Sequence, residues 1–196
     1  MATYPIDFTF KIATLSNDFV AKDAEGRVLS YVRQKMFKLI DEISVFTDES
    51  KSKLQYTIKA NKWLDFSATY SFLTADGRDI GRVARKGWSS LWKARYEIFD
   101  EQAKQDLLIQ EENGWVKVCD ALLSELPLLG LFSGYFFNPS YIVTRPDGTL
   151  VARIKKQRSL TGRRFQVTKV AEFEAGEEER VLLGLMMMIL LERRRG

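Results

Sequence analysis

The sequence predicts a mainly β fold: a closed antiparallel barrel of about twelve strands, in two similar halves, enclosing a hydrophobic C-terminal helix. Three observations predict it. A unit of strand, acidic turn and second strand recurs five times along the chain; two of these units match over an extended stretch; and the chain ends in "EEERVLLGLMMMILLERRRG", with no charge between Val181 and Leu191.

The units are justified in chain order. The first reads "DFVAKDAEGRVLSYVRQK" from Asp18, the second "ISVFTDESKSKLQYTIKA" from Ile43, the third "YSFLTADGRDIGRVARKG" from Tyr70 and the fourth "YEIFDEQAKQDLLIQEEN" from Tyr96. In each, aromatic and β-branched residues alternate before an acidic turn and alternation resumes after it, as in β-hairpins. Next comes "CDALLSELPLLGLFSGYFFNPSY", which starts as a helix after Asp120 and is interrupted at Pro127. This connection, at about 120–137, is apolar enough to cap one end of the barrel, and a lid is favoured over a membrane-inserting wedge built from Leu128 to Phe137. The fifth unit, "YIVTRPDGTLVARIKKQ", runs from Tyr141.

The third and fifth units indicate an internal duplication. Asp76-Gly77 aligns with Asp147-Gly148, Ile80 with Val151, Gly81 with Ala152, Arg82 with Arg153, Val83 with Ile154 and Arg85 with Lys156; after a two-residue offset, Arg95 to Ile98 aligns with Arg164 to Val167. Strand alternation places Gly81, Val83, Ala152 and Ile154 on one face and Arg82 and Arg153 on the other. Small residues inside leave room for a wide object. The expected domain is a single one over 1–196, with halves at about 8–115 and 138–196 of about six strands each.

The tail supplies that object. Its eleven uncharged residues make a helix of roughly 16 Å, against a hydrocarbon core of about 30 Å, so it is about half as long as a membrane span. Acidic residues precede it and basic ones follow, as the helix dipole favours. The run is apolar around its whole circumference, which calls for enclosure by protein on every side. Met186, Met187 and Met188 point in three directions and suit gap filling, not a copper site, because adjacent helical residues cannot converge on one ion.

Composition excludes several chemistries. With no histidine, neither a Ser-His-Asp nor a Cys-His pair can be built, and histidine metal sites are absent. The single cysteine, Cys119, can form no internal disulfide and sits among apolar neighbours, fitting a reducing cytosolic compartment. The N-terminus shows no export signal. A net charge of +4 and a pI near 9.1 make the surface mildly basic. That permits contact with phosphates or anionic lipid; the plain reading is a soluble surface with a small excess of Lys and Arg. Turn aspartates such as Asp23, Asp48, Asp76 and Asp147 have local backbone roles, so catalysis is not expected and no cofactor is called for.

The tracts "ADGRDIGRVARKGWSSLWKARYEIF" and "PDGTLVARIKKQRSLTGRRFQV", with the repeated "DG" hairpin and the hydrophobic terminal helix, resemble the LURP-one-related proteins of the tubby C-terminal-like superfamily, which includes the phospholipid scramblases. The resemblance runs from about residue 8 to 192 and rests on order and spacing. It implies a twelve-stranded barrel around a central C-terminal helix. Tubby domains bind a phosphoinositide through basic side chains before a Tyr-x-Ile strand, and the similar tract here places Arg82, Arg85 and Lys86 before Tyr96 to Ile98, with Lys93 and Arg95 nearby. Trp88 and Trp92 suit a membrane interface, or pack on the barrel rim if the strand face is merely solvated. The duplicate tract, with Arg153, Lys155, Lys156, Arg158, Arg163 and Arg164, is at least as basic.

The function expected is therefore non-enzymatic: a binding or scaffold protein in the cytoplasm or at its membrane surface, with an anionic, phosphoinositide-like headgroup or a protein as partner. Scramblase-like activity and a nucleic-acid or transcription-associated role are the alternatives. The first lacks a palmitoylation cysteine cluster, an EF-hand loop and a spanning helix; the second lacks an RNA-binding signature, a zinc finger and a helix-turn-helix pattern.

Overall fold

The structure, a computed structural model, describes residues 2–11, 17–34, 42–61, 69–85, 95–112, 140–157 and 164–193. Twelve strands close into an antiparallel barrel. They are β1 (Ile6–Phe10), β2 (Phe19–Lys22), β3 (Val28–Gln34), β4 (Glu42–Phe46), β5 (Leu54–Asn61), β6 (Thr69–Thr74), β7 (Asp79–Arg85), β8 (Arg95–Phe99), β9 (Gln105–Glu111), β10 (Ser140–Thr144), β11 (Leu150–Lys156) and β12 (Arg164–Lys169). Each pairs with its neighbours in sequence, and β1 closes the ring against β12, with Ile6 opposite Val167 and Thr9 opposite Arg164. The expected connection at 120–137 and Cys119 lie outside the described residues.

The five repeated units are five hairpins of one design. In each, a residue with positive φ ends the turn (Gly26, Lys51, Gly77, Ala103 and Gly148), and the strand register shifts by a bulge beside it. The turn aspartates hold the loop: Asp23 Oδ1 accepts from the backbone N–H of Glu25 (3.0 Å) and Arg27 (2.9 Å), Asp100 Oδ1 from Gln102 (3.0 Å) and Lys104 (2.9 Å), and Asp147 Oδ1 from Thr149 (2.8 Å). The aligned tracts form β6–β7–β8 and β10–β11–β12, three strands each; the halves expected at about 8–115 and 138–196 hold nine and three strands and not six each, because the matching stretch covers only those three-strand tracts.

All five turns gather at one end of the barrel. The strand ends at Phe10 and Phe19, Gln34 and Glu42, Asn61 and Thr69, Arg85 and Arg95, Glu111 and Ser140, and Lys156 and Arg164 therefore gather at the other.

Helix α1 (Glu177–Arg193) enters from the turn end and runs through the interior. Val181, Leu183, Leu185, Met186, Met187, Met188, Ile189 and Leu190 are all buried in one core with the inward side chains of the strands, including Phe8, Phe19, Phe72, Ile98 and Ile154. At about 1.5 to 3 kcal/mol per buried apolar side chain, this burial is as large as the whole net stability of a typical domain, about 5 to 15 kcal/mol. No helix among the described residues is long and apolar enough to cross a membrane.

The first helical turn is tied to the rim in four directions. Arg145 places a two-pronged fork on Glu177 (2.8 and 2.7 Å), Tyr4 donates to Glu178 (3.0 Å), Tyr56 donates to Glu179 (3.0 Å), and Arg180 donates to Asp106 (2.7 Å). Consecutive helical residues lie about 100° apart, so four in a row reach around the opening.

Candidate functional site

The basic tracts lie on two separate parts of the wall. Arg82, Arg85 and Arg95 sit on β7 and β8; Arg153, Lys155 and Lys156 sit on β11. Four strand spacings of about 4.8 Å separate β7 from β11, or roughly 19 Å along the wall. The two sets do not converge on one pocket.

Within each tract, alternation divides the side chains further. Arg82 is on the outer face with its guanidinium 5.1 Å from the centre of the Phe99 ring, its cross-strand partner. Arg85 shares the inner register with Gly81 and Val83 and stands 5.9 Å from the Tyr96 ring, with its Nε buried and without a hydrogen-bond partner among the described residues. Arg95 is exposed and 3.8 Å from Glu97. On β11, Arg153 is on the outer face and donates to Glu112 at 2.7 Å; Lys155 is exposed on the same face, cross-strand from Ser140 and Gln166; Lys156 falls on the inner register opposite Phe165. Lys86, Lys93, Trp88 and Trp92, as well as Arg158 and Arg163, lie outside the described residues.

Ion pairing further reduces the set open to a ligand. Arg164 is held by Asp7 at 2.6 Å, and that hydrogen bond and charge raise the guanidinium's pKa further. Arg145 is fixed by Glu177, whose side chain is 1% exposed, and its pKa is likewise raised, chiefly by that hydrogen bond. Four of the expected cations, Arg82, Arg85, Lys155 and Lys156, have no carboxylate partner among the described residues, and three of them, Arg85, Lys155 and Lys156, stand at strand ends away from the turns. These cations can still bind phosphate or carboxylate oxygens by charge-assisted hydrogen bonds.

The turn end has the opposite character. Asp48, Asp76 and Asp147 are all held below the usual carboxylate range, chiefly by hydrogen bonds from Ser50, Thr74 and Thr149 respectively. Glu178 and Glu179 add two carboxylates outside any ion pair among the described residues. Burial pushes the Tyr56 hydroxyl up to about 12, helped by the charge of Glu179 and the hydrogen bond to it. Burial also raises Tyr4, reinforced by Glu178. Sequence reasoning missed these pairings, although the run Glu177 to Glu179 at the helix start was the visible signal.

The family model described as LURP-one-related matches residues 28–189 of the chain, from β3 almost to the end of α1, so the chain belongs to that family. Neither curated proteins nor solved structures match it.

Proposed function

We propose that this LURP-one-related protein is a non-catalytic binding module whose barrel docks on anionic lipid headgroups through the end away from the hairpin turns. The observation that supports the reading is that Arg85, Lys155 and Lys156 stand at that end without a carboxylate partner among the described residues, whereas Arg145, Arg153, Arg164 and Arg180 are all ion-paired. The sequence joining the strand ends there contains all four tryptophans, Trp63, Trp88, Trp92 and Trp115, and adds Lys86, Lys93, Arg158 and Arg163. Aromatic and basic side chains together suit a headgroup surface. The apolar side chains of α1 are committed to the core, which disfavours the helix as an anchor and a scramblase-like role with it.

Co-sedimentation with phosphatidylserine-containing vesicles at low salt tests this. Binding is expected to fall as salt rises and to weaken about tenfold or more in the Lys155→Ala/Lys156→Ala double variant, at about 1 kcal/mol per cation near the surface. Arg85→Ala with Lys86→Ala should act in the same direction. Absence of sedimentation at low salt would remove the lipid reading and leave a protein partner.

A further inference from the structure

Inside the barrel the helix is off-centre. A Cβ on Gly184 would lie 2.6 Å from Ile98 Cδ1, and one on Gly81 would run into the Phe99 carbonyl oxygen and lie 2.8 Å from Arg180 Cδ, so bare Gly184 lets α1 press against β8 while bare Gly81 leaves room for both the β8 backbone and the Arg180 stem. Its closest backbone approach is to β7, β8 and β9. Space is left on the opposite side, where β2 and β3 present the small side chains of Ala21 and Ser30 across from each other.

That space is a cavity of about 350 Å³ between α1 and the wall of β1 to β5. It lies at the lower end of the range of ligand clefts, about 300–1,000 Å³. Ile6, Phe8, Val45, Leu183 and Met186 give it apolar walls, and its mouth, at the turn end, carries Gln55, Tyr56, Glu178 and Glu179. Two details point to an occupant. Ser30 is 4% exposed and its Oγ has no hydrogen-bond partner among the described residues, in a lining where a buried unpaired hydroxyl is unfavourable. Glu178 and Glu179 each accept one tyrosine hydroxyl but, unlike Glu177 and Arg180 on either side, form no ion pair among the described residues. The one lysine in the adjoining cleft, Lys169, is engaged by Glu172 and stacked over Phe173.

We propose that this cavity binds a small cationic amphiphile, whose ammonium head is held by the Glu178 and Glu179 carboxylates and whose apolar body lies between α1 and β1 to β5. At about 30 Å³ per water-sized group, the volume accommodates about a dozen non-hydrogen atoms. The head pairs with the two mouth carboxylates that no ion pair engages among the described residues, the chain fills the apolar depth, and Ser30 Oγ offers a hydrogen bond to a polar group on the chain. This site is at the opposite end from the headgroup surface proposed above and does not depend on it.

Isothermal titration of the full chain with decylamine and with decanoate, each below its micelle concentration, tests the proposal. Decylamine is expected to bind with one-to-one stoichiometry and decanoate at least tenfold more weakly. Ala21→Leu, which fills the cavity, should abolish decylamine binding while a cooperative melt shows the fold intact; if that variant does not fold, Ser30→Val serves the same purpose and should weaken binding at least tenfold. Glu178→Gln with Glu179→Gln should weaken decylamine at least tenfold and remove the preference over decanoate. The Lys155→Ala/Lys156→Ala variant should bind decylamine as the parent does. Failure of decylamine to bind, equal binding of decanoate, or undiminished binding by a folded cavity-filled variant would each overturn the assignment.

Discussion

On the side of β7 to β11, helix α1 is held by close approach and by charge: Gly184 lies against Ile98, Gly81 admits the stem of Arg180, and Arg180–Asp106 and Arg145–Glu177 clamp the first turn. On the side of β1 to β5 the same helix meets a cavity of about 350 Å³ and, among the described residues, is tied by the hydroxyls of Tyr4 and Tyr56 alone. A barrel of about twelve strands is wide enough to admit a helix without fixing its axis. Glycines and ion pairs on one wall set its position, and the other wall keeps the spare volume.

The most severe way to break the comparison is to remove the helix from both walls. Truncation before Glu177 deletes every inward side chain of the core's centre, and the product is expected to lack a cooperative thermal transition. Next in size is the clamp on the close side. Arg145→Ala leaves Glu177, 1% exposed, as a buried charge without its fork, and a loss of about 3 to 5 kcal/mol is expected in urea unfolding.

Side-chain volume then distinguishes the walls directly. Gly184→Leu drives a side chain into Ile98 and should cost about 3 kcal/mol by overpacking. Ser30→Val adds volume on the open wall and removes an unpaired hydroxyl, so its expected change is within about 1 kcal/mol of zero, or stabilising. Equal costs for the two would mean that the walls are packed alike.

The smallest effect concerns the tyrosine ties. Tyr56 has its pKa pushed up to about 12, first by burial and then by the charge and hydrogen bond of Glu179; Tyr31 is pushed to about 12 by burial and by its hydrogen bond to Asp18. Because the folded values exceed the unfolded one of about 10, the stability these phenols lend is complete below pH 10 and is lost as pH rises toward 12. Tyr56→Phe should cost roughly 1 kcal/mol at neutral pH and flatten the alkaline fall measured by melting temperature.

Much of this architecture was legible in the sequence because it is written locally. Five turns with aspartate or glycine at fixed places give five hairpins, and alternation from Gly81 to Val83 correctly faces the interior. The Val181–Leu191 run, apolar all round, requires enclosure, and the buried side chains from Val181 to Leu190 meet it. Arg82 and Arg153 fall on the outer face as alternation requires, and the same rule turns Arg85 and Lys156 inward, which divides a tract that reads as continuously basic. What was not legible depends on pairings between distant parts of the chain. The partner of Arg153 is Glu112, that of Arg164 is Asp7, and that of Glu177 is Arg145, each set by barrel closure and register. Nor does any local pattern reveal that α1 leans to one side, since the helix carries no polar face that would orient it. The cavity and its unpaired Ser30 follow from that lean and are hidden for the same reason.

The enclosure of α1 is tested most directly by placing a cysteine in turn at Met186, Met187 and Met188, in a background where Cys119 is replaced by serine, and following thiol labelling against denaturant. These positions point about 100° apart. All three thiols are predicted to react only at the rate of global unfolding; fast labelling of even one of them under native conditions would mean that a face of the helix is open to solvent, and would contradict a helix surrounded by the barrel.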